Sequence, residues 1–251
     1  MRKKLWASLA VLTLFFLVLG TCKSPSSTKL PDNLLKLSGT ITLNSQGFVN
    51  VNVYLSQNAS KKVTTGSDGK YAFNDLAPSS YFITPSMIGY AFSPSNYEVV
   101  MASRSDLNFS AQIAKAGSEL GSIATNFSAK DQNNNNVSLY DYHGKVILMD
   151  FTADWCTSCR EKAETAEQFY QSYKNRGFMY ILIVIEGSAS LWASTYGLTF
   201  PVLDDNSQAI YNIYRKGSIP LPHVLDHNCT IRYKKEGWNK AEVEDAIKKY
   251  L

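Results

Sequence analysis

Residues 145–160 read Lys145-Val-Ile-Leu-Met-Asp150-Phe-Thr-Ala-Asp-Trp155-Cys156-Thr-Ser-Cys159-Arg160. An apolar run interrupted by one acid leads directly into two cysteines spaced C-x-x-C. Downstream, Phe178-Met-Tyr-Ile-Leu-Ile-Val-Ile185 is a second near-continuous apolar run, and both runs suit strands buried on two faces. Between them Ala163, Ala166, Phe169, Tyr170 and Tyr173 recur at helical spacing, with Gly177 placed as a helix stop. Near the end, Asn239 and Glu242 read as a capping pair ahead of the apolar stripe Val243, Ala246, Ile247 and Tyr250. Strands alternating with helices predict an α/β layer with a mainly parallel central sheet. The polar tract Gln132–Asn136 reads as a hairpin loop.

The cysteine pair is thereby expected where a buried strand hands over to a helix. At a helix N-terminus the first cysteine meets the positive end of the dipole and unpaired backbone N–H groups, which favour its thiolate. The C-x-x-C spacing lets the second thiol reach the first, so a mixed disulfide can be resolved within the chain. Cys156 is the expected attacking sulfur and Cys159, one turn further in, the resolving one. Asp150 stands six residues before Cys156 inside the apolar strand. A carboxylate aimed into a core is costly without a role or a partner. The expected role is proton acceptor for Cys159, and the alternative is an outward-facing acid or one paired with a lysine at the strand end.

Upstream, Ser38 to about Gln112 alternates with a period of two. Val49, Val51, Val53 and Leu55 would share one strand face, Gly66-Ser-Asp-Gly69 is a turn, and Lys70-Tyr-Ala-Phe-Asn-Asp-Leu76 resumes the alternation. Further strands are predicted near Tyr81–Thr84, Tyr97–Met101 and Leu107–Ala111, with Pro78, Pro85 and Pro94 punctuating the gaps. Together they predict a small antiparallel β-sandwich. This segment holds no cysteine or histidine, and its expected role is a spacer.

The N-terminus is an address. Met1-Arg-Lys-Lys4 is basic and Leu5 to Gly20 carries no charge, too short a run for a comfortable membrane span but apt for a signal-peptide core. Leu19-Gly-Thr-Cys22 resembles a bacterial lipobox, which implies acylation of Cys22 and a lipid anchor in the cell envelope, facing the periplasm or exterior. An uncleaved anchor or an ordinary secretory signal are the alternatives. The expected organisation is a signal peptide at 1–21, a flexible linker at 22–36, the sandwich at 37–112, a small-residue joint at 113–120 and the second domain at 121–251. The whole chain has 25 basic and 21 acidic residues, a formal net charge of +4. Without Arg2, Lys3 and Lys4, 22 basic groups face 21 acidic ones, a poor basis for nucleic-acid binding. Four cysteines are too few for a disulfide-built scaffold of 251 residues.

The stretch Asp150-Phe-Thr-Ala-Asp-Trp-Cys-Thr-Ser-Cys-Arg160 resembles the active-site segment of the thioredoxin superfamily, most closely its membrane-tethered TlpA-like branch. The strand order of the upstream segment resembles the carboxypeptidase-regulatory-like, transthyretin-like domains. These resemblances imply an antiparallel β-sandwich followed by an α/β thioredoxin-like fold, and a thiol-disulfide oxidoreductase without a bound cofactor. They imply a redox disulfide Cys156–Cys159 and protein thiol or disulfide substrates. An electron-donor partner of the DsbD or CcdA type is a further implied partner. They also imply a substrate groove beside Trp155, with a cis-proline facing the disulfide. In Ser218-Ile-Pro-Leu-Pro-His-Val-Leu-Asp226, Pro220 stands six residues before Asp226 as in the family, with Ile219 before it, and Pro222 is second choice. The chain departs from the family pattern at three places. Thr152 stands where many relatives have Trp, Thr157-Ser158 lacks a proline, and the third residue after Cys159 is not Glu.

Other readings stay open at this stage. Copper or zinc handling by the same two cysteines with His223 is one, although a structural zinc site takes four ligands. A non-catalytic partner-binding surface lipoprotein is another, and a thiol peroxidase a third. His143 and His227 read as loop residues, and Cys229, in a predicted turn, as a surface thiol or one that pairs between chains.

Overall fold

The computed structural model describes residues 33–57, 61–214 and 217–251. The signal peptide at 1–21, Cys22 and the chain up to residue 32 lie outside the described residues. The first domain is a two-sheet sandwich. Its strands are β1 (Leu35–Leu43), β2 (Gln46–Gly47), β3 (Asn52–Gln57), β4 (Lys61–Thr64), β5 (Lys70–Leu76), β6 (Ser80–Ser86), β7 (Tyr90–Ser93), β8 (Tyr97–Val100) and β9 (Phe109–Ile113). One sheet is built on β1, which pairs antiparallel with β2 and β5 and parallel with β9, while β7 lies beyond β9. The other runs β4-β3-β6-β8, antiparallel throughout. The sandwich is therefore antiparallel except for the β1–β9 pair.

Alternation makes the core. Leu35, Leu37 and Ile41 of β1, Val53 and Leu55 of β3, Ile83 of β6 and Phe109 of β9 all point between the sheets. Val49 does not join Val51, Val53 and Leu55. It precedes the strand and is exposed. Strand β7 is invisible to alternation because it is a half-exposed edge between Gly89 and Pro94.

In the second domain the elements are β10 (Ala116–Gly117), β11 (Ile123–Ala124), the hairpin β12 (Ser128–Lys130) and β13 (Asn136–Ser138), then β14 (Val146–Ala153), α1 (Thr157–Tyr173), β15 (Phe178–Glu186), α2 (Ala189–Tyr196), β16 (Val202–Asp204), α3 (Ala209–Tyr214), β17 (His223–Leu225), β18 (Ile231–Lys234) and α4 (Lys240–Tyr250). The central sheet has the order β16-β15-β14-β17-β18. Its first three strands are parallel, and β17 and β18 are antiparallel to their neighbours. Each apolar run divides by parity. Val146, Leu148, Phe178, Tyr180, Leu182 and Val184 face a core shared with α1, α2 and α4, whereas Ile147, Met149, Phe151, Ile181, Ile183 and Ile185 face the core with α3. Helix α1 runs into a 3-10 turn that stops at Gly177, whose φ of 82° is left-handed. Residues 114–121 are tied down: β10 pairs with β11, and Gly121 N–H donates to Ile231 O at 2.8 Å.

The two domains share a polar and aromatic seam. Tyr54 stacks on His227 with ring centroids 4.0 Å apart, and Ser86 Oγ donates to His227 O at 2.7 Å. Met87 N–H donates to Asn228 Oδ1 at 2.9 Å, and Gln57 N–H to Leu251 O at 2.8 Å. Arg232, in contact with Asp226 at 2.6 Å, also donates to Ser95 Oγ at 2.9 Å. The segment expected to be a spacer is thus packed against its neighbour. Gly144 N–H donates to His227 O, which puts the seam at the start of β14, about 25 Å of strand from the cysteines at its other end.

Candidate functional site

Strand β14 ends at Ala153, the chain turns through Asp154 and Trp155, and Cys156 becomes the N-cap of α1. Cys156 Sγ accepts from Cys159 N–H at 3.2 Å, so one of the orphan donors of the helix end is aimed at that sulfur. Cys156 and Cys159 form a disulfide with their Cα atoms 5.2 Å apart. The two sulfurs differ in access: Cys156 is 5% exposed and Cys159 is sealed. A thiolate at Cys156 would gain from the helix dipole and from the N–H already pointing at it.

Three other parts of the chain surround this pair. The loop before β17 carries a cis Ile219–Pro220 bond, and Ile219 O lies 3.9 Å from Cys156 Sγ. Of the two prolines in that loop, Pro220 is the one preceded by a cis bond. Trp155 is 60% exposed beside the disulfide, with its indole N–H donating to Glu186 Oε2 at 2.9 Å from the end of β15. Asp154 Oδ1 accepts from Trp192 Nε1 at 2.5 Å, and Arg160 donates to Asp154 O. The Asp154 carboxylate fits only because Gly187, at φ 134°, has no Cβ, which would stand 2.2 Å from Asp154 Oδ1.

Asp150 is on the same strand face as Val146 and Leu148, turned toward α1, and is fully buried. Its Oδ1 accepts from Phe151 N–H at 2.9 Å and from Leu221 N–H, next to Pro220, at 3.1 Å. Its Oδ2 is in ion-pair contact with Lys162 and lies 3.5 Å from Tyr180 OH. A buried carboxylate and a buried ammonium compensate each other, whereas either charge alone would be costly. Lys162 is the feature that sequence reasoning missed. Its signal was its position: three residues after Cys159, it lies on the same buried helix face. Its Nζ also sits 5.2 Å over the Trp238 ring, which closes the site from the α4 side. Burial alone pushes the Lys162 ammonium down toward neutrality, and the facing carboxylate opposes that.

The histidines and the last cysteine lie apart from this cluster. His223 is buried on the sheet face away from α1, its ring edge-on to Phe151 and Tyr214 and its Nδ1 3.0 Å from Leu221 O. His143 and His227 belong to the interdomain seam. Cys229 is 1% exposed, so the surface thiol expected there does not exist. Asp226 Oδ1 accepts from Asn228 and Thr230 N–H groups, folding the turn inward, and burial pushes the Cys229 thiol up to about 12.

Comparison with known proteins agrees with this architecture. Residues 36–112 match the carboxypeptidase regulatory-like domain and residues 120–234 match the AhpC/TSA family. The thiol-disulfide oxidoreductase ResA of Geobacillus kaustophilus is 30% identical over 122 residues, 47% of this chain and 70% of that protein. The thioredoxin-like protein YneN of Bacillus subtilis is 30% identical over 125 residues, covering 47% of this chain and 72% of that protein. Among solved structures, the thioredoxin domain of a thiol-disulfide oxidoreductase from Bacteroides vulgatus aligns with 53% of this chain and 97% of that one, with a TM-score of 0.48 and 20% identity. With a C-x-x-C disulfide at the end of its central strand and relatives of this kind over its second domain, the chain belongs to the ResA-type thiol-disulfide oxidoreductases of the thioredoxin-like fold, carrying a carboxypeptidase regulatory-like domain ahead of it.

Proposed function

We propose that this chain exchanges disulfides with protein substrates through Cys156 and Cys159, acting as a reductase. In the forward cycle the Cys156 thiolate attacks a substrate disulfide, one substrate sulfur leaves as thiolate, and a mixed disulfide joins the two proteins. Cys159 then gives up its proton to Asp150 and attacks Cys156 Sγ. The second substrate sulfur leaves as thiolate, and the Cys156–Cys159 disulfide is the oxidised product. Trp155, Ile219 and Pro220 line the groove for the substrate segment. The observation that carries this reading is the unequal pair itself: one sulfur at the mouth of a helix N-terminus under Ile219 O, the other sealed on the buried helix face that also carries Lys162, the partner of Asp150.

The same reading includes export, with Cys22 as lipid anchor and a membrane electron donor of the DsbD or CcdA type returning two electrons per cycle. Its support is the order basic, apolar, Leu19-Gly-Thr-Cys22 in the first residues. Among the described residues no helix is long and apolar enough to cross a membrane. The deciding experiment is insulin reduction by dithiothreitol, using protein purified without residues 1–22. Catalysis well above the uncatalysed rate is expected, with its loss in Cys156→Ser. Wild-type protein no faster than dithiothreitol alone would overturn the proposal. Direction is read separately, by equilibrating the pair against glutathione buffers.

A further inference from the structure

Between the two domains, where β4 ends one sheet of the sandwich, lies a cleft of about 340 Å³. One wall is the sandwich. Lys62 of β4 is the cross-strand partner of Tyr54 of β3, so the two side chains share a face, and Lys61 lines the cleft next to them. The other wall is the thioredoxin-like domain, with Asn175 and Arg176 from the 3-10 turn after α1 and the ring of His227. Among the side chains lining the cleft, three are cationic and none is acidic. Leu251 lines it too, with its main-chain oxygen already taken by Gln57 N–H at 2.8 Å. Lys61 and Lys62 have no ion-pair partner among the described residues, and Arg176 has only the Tyr173 ring, 5.8 Å from its guanidinium carbon. A cleft lined by one sign of charge concentrates the opposite ion.

Buried polar atoms around the same cleft lack partners. His227 is 6% exposed, and its Nδ1 makes no hydrogen bond. Thr84 Oγ1, beside Tyr54 on the neighbouring strand β6, is sealed and unmatched as well. Such groups are costly to leave unsatisfied, and next to unpaired cations they point to an occupant rich in oxygen. Gly144 makes room for the Tyr54 hydroxyl, since a Cβ there would stand 2.6 Å from it. We propose that this cleft binds a phosphate group, held by Lys62 and Arg176 from its two walls with Lys61 and the Asn175 amide as further donors, and that the bound group ties the sandwich to the thioredoxin-like domain. Phosphate suits the site better than a lone carboxylate. A phosphomonoester carries nearly two charges and three oxygens, and an arginine fork grips two oxygens at once. The cleft has roughly ten times a water's share of liquid volume, which leaves room for the group that bears the phosphate. A soluble phosphate ester and a phospholipid headgroup present the same chemistry to these residues. The site lies at the start of β14, and the cysteine pair follows that strand's far end.

The test uses the full chain in non-ionic detergent and chloride buffer at constant ionic strength. Inorganic phosphate, glycerol phosphate and water-soluble dibutyryl phosphatidic acid are each titrated in, with calorimetry and melting temperature as readouts. A ligand held by both walls of the folded seam should raise the melting temperature by roughly 5 °C or more at about one hundred times its dissociation constant. Lys62→Gln/Arg176→Gln should weaken binding at least about tenfold, since each change removes a hydrogen bond to a charged group. Both residues are exposed, so this variant should melt in chloride close to the wild type and match it in insulin reduction. Tighter binding of the short-chain lipid than of glycerol phosphate identifies a headgroup site, and equal or weaker binding a soluble ester. No saturable binding of any of the three would overturn the proposal. So would an equal rise in the double variant, which is the general stabilisation that phosphate gives by exclusion from protein surfaces.

Discussion

At the scale of single residues, the decisive contrast is between two sulfurs three residues apart. Cys156 caps a helix and touches the Ile219 carbonyl, whereas Cys159 has no contact with solvent. In the proposed cycle, attack and resolution therefore have different requirements, one electrostatic and one a matter of moving a proton inside the core. Asp150→Asn should leave the first attack nearly intact and slow resolution by about a hundredfold, within the usual range for loss of a general base. Trapped mixed disulfides would accumulate in the variant and be counted on a non-reducing gel. Equal slowing of both steps would contradict the assignment. The type of residue and its place inside an apolar strand were legible from the sequence, while its facing, inward or outward, was left to the structure, which buries it. Its partner was not legible, because a lysine in a helix ordinarily belongs to the surface and only packing against Trp238 and β14 encloses it.

Elements carry the site through their ends. Helix α1 is useful at its first turn, and the Asp154–Trp155 corner is held by Trp192 of α2 and Glu186 of β15. Gly187 matters here for its missing side chain. Gly187→Ala should force Asp154 and Trp192 apart at a cost of roughly 1–3 kcal/mol, seen as a lower unfolding midpoint and a shifted tryptophan emission. Helix α4 offers a cleaner case of local logic. Asn239 Oδ1 accepts from Glu242 N–H at 3.3 Å, and Asn239→Ala should cost about 1 kcal/mol in urea unfolding without altering activity. Both the α1 and α4 patterns were readable as periodicity plus a stop or cap signal. The short strands β7, β10 and β11 were not, since two to four residues without a buried alternation carry no period.

At the scale of the whole molecule, the sandwich meets the thioredoxin-like domain at the start of β14 and the disulfide follows its far end, so among the described residues the sandwich leaves the cysteine pair uncovered. Histidines inside the fold make the structure sensitive to acid. His227, under Tyr54, and His223, against Phe151, are each buried neutral and pushed down to about 4 from an ordinary 6.5. Between those values the unfolded chain binds more protons than the folded one, so stability rises with pH through this window and is lost as pH falls. Each histidine is worth on the order of 3 kcal/mol over the full window. The melting temperature at pH 4.5 should lie roughly 10 °C or more below that at pH 7. His227→Phe, which keeps a ring for Tyr54 to stack on, should remove part of that fall, and an unchanged pH slope would contradict the account. The neighbouring charges at His227, Asp226 and His143, act in opposite directions and leave desolvation as the larger cause.

From order and spacing alone came the two-domain plan, the class of each domain, and the cysteine pair between a strand and a helix. Those depend on local periods of two and 3.6 residues and on where they break, information contained within short windows of chain. Only the tertiary structure decided that Lys162 answers Asp150, that Leu221 donates to the same carboxylate, that Cys229 turns inward, and that the sandwich is seated on His227 rather than hanging free. Each of these joins residues up to about 170 positions apart, and their worth comes from water being excluded around both partners at once, a condition that no single stretch of sequence expresses.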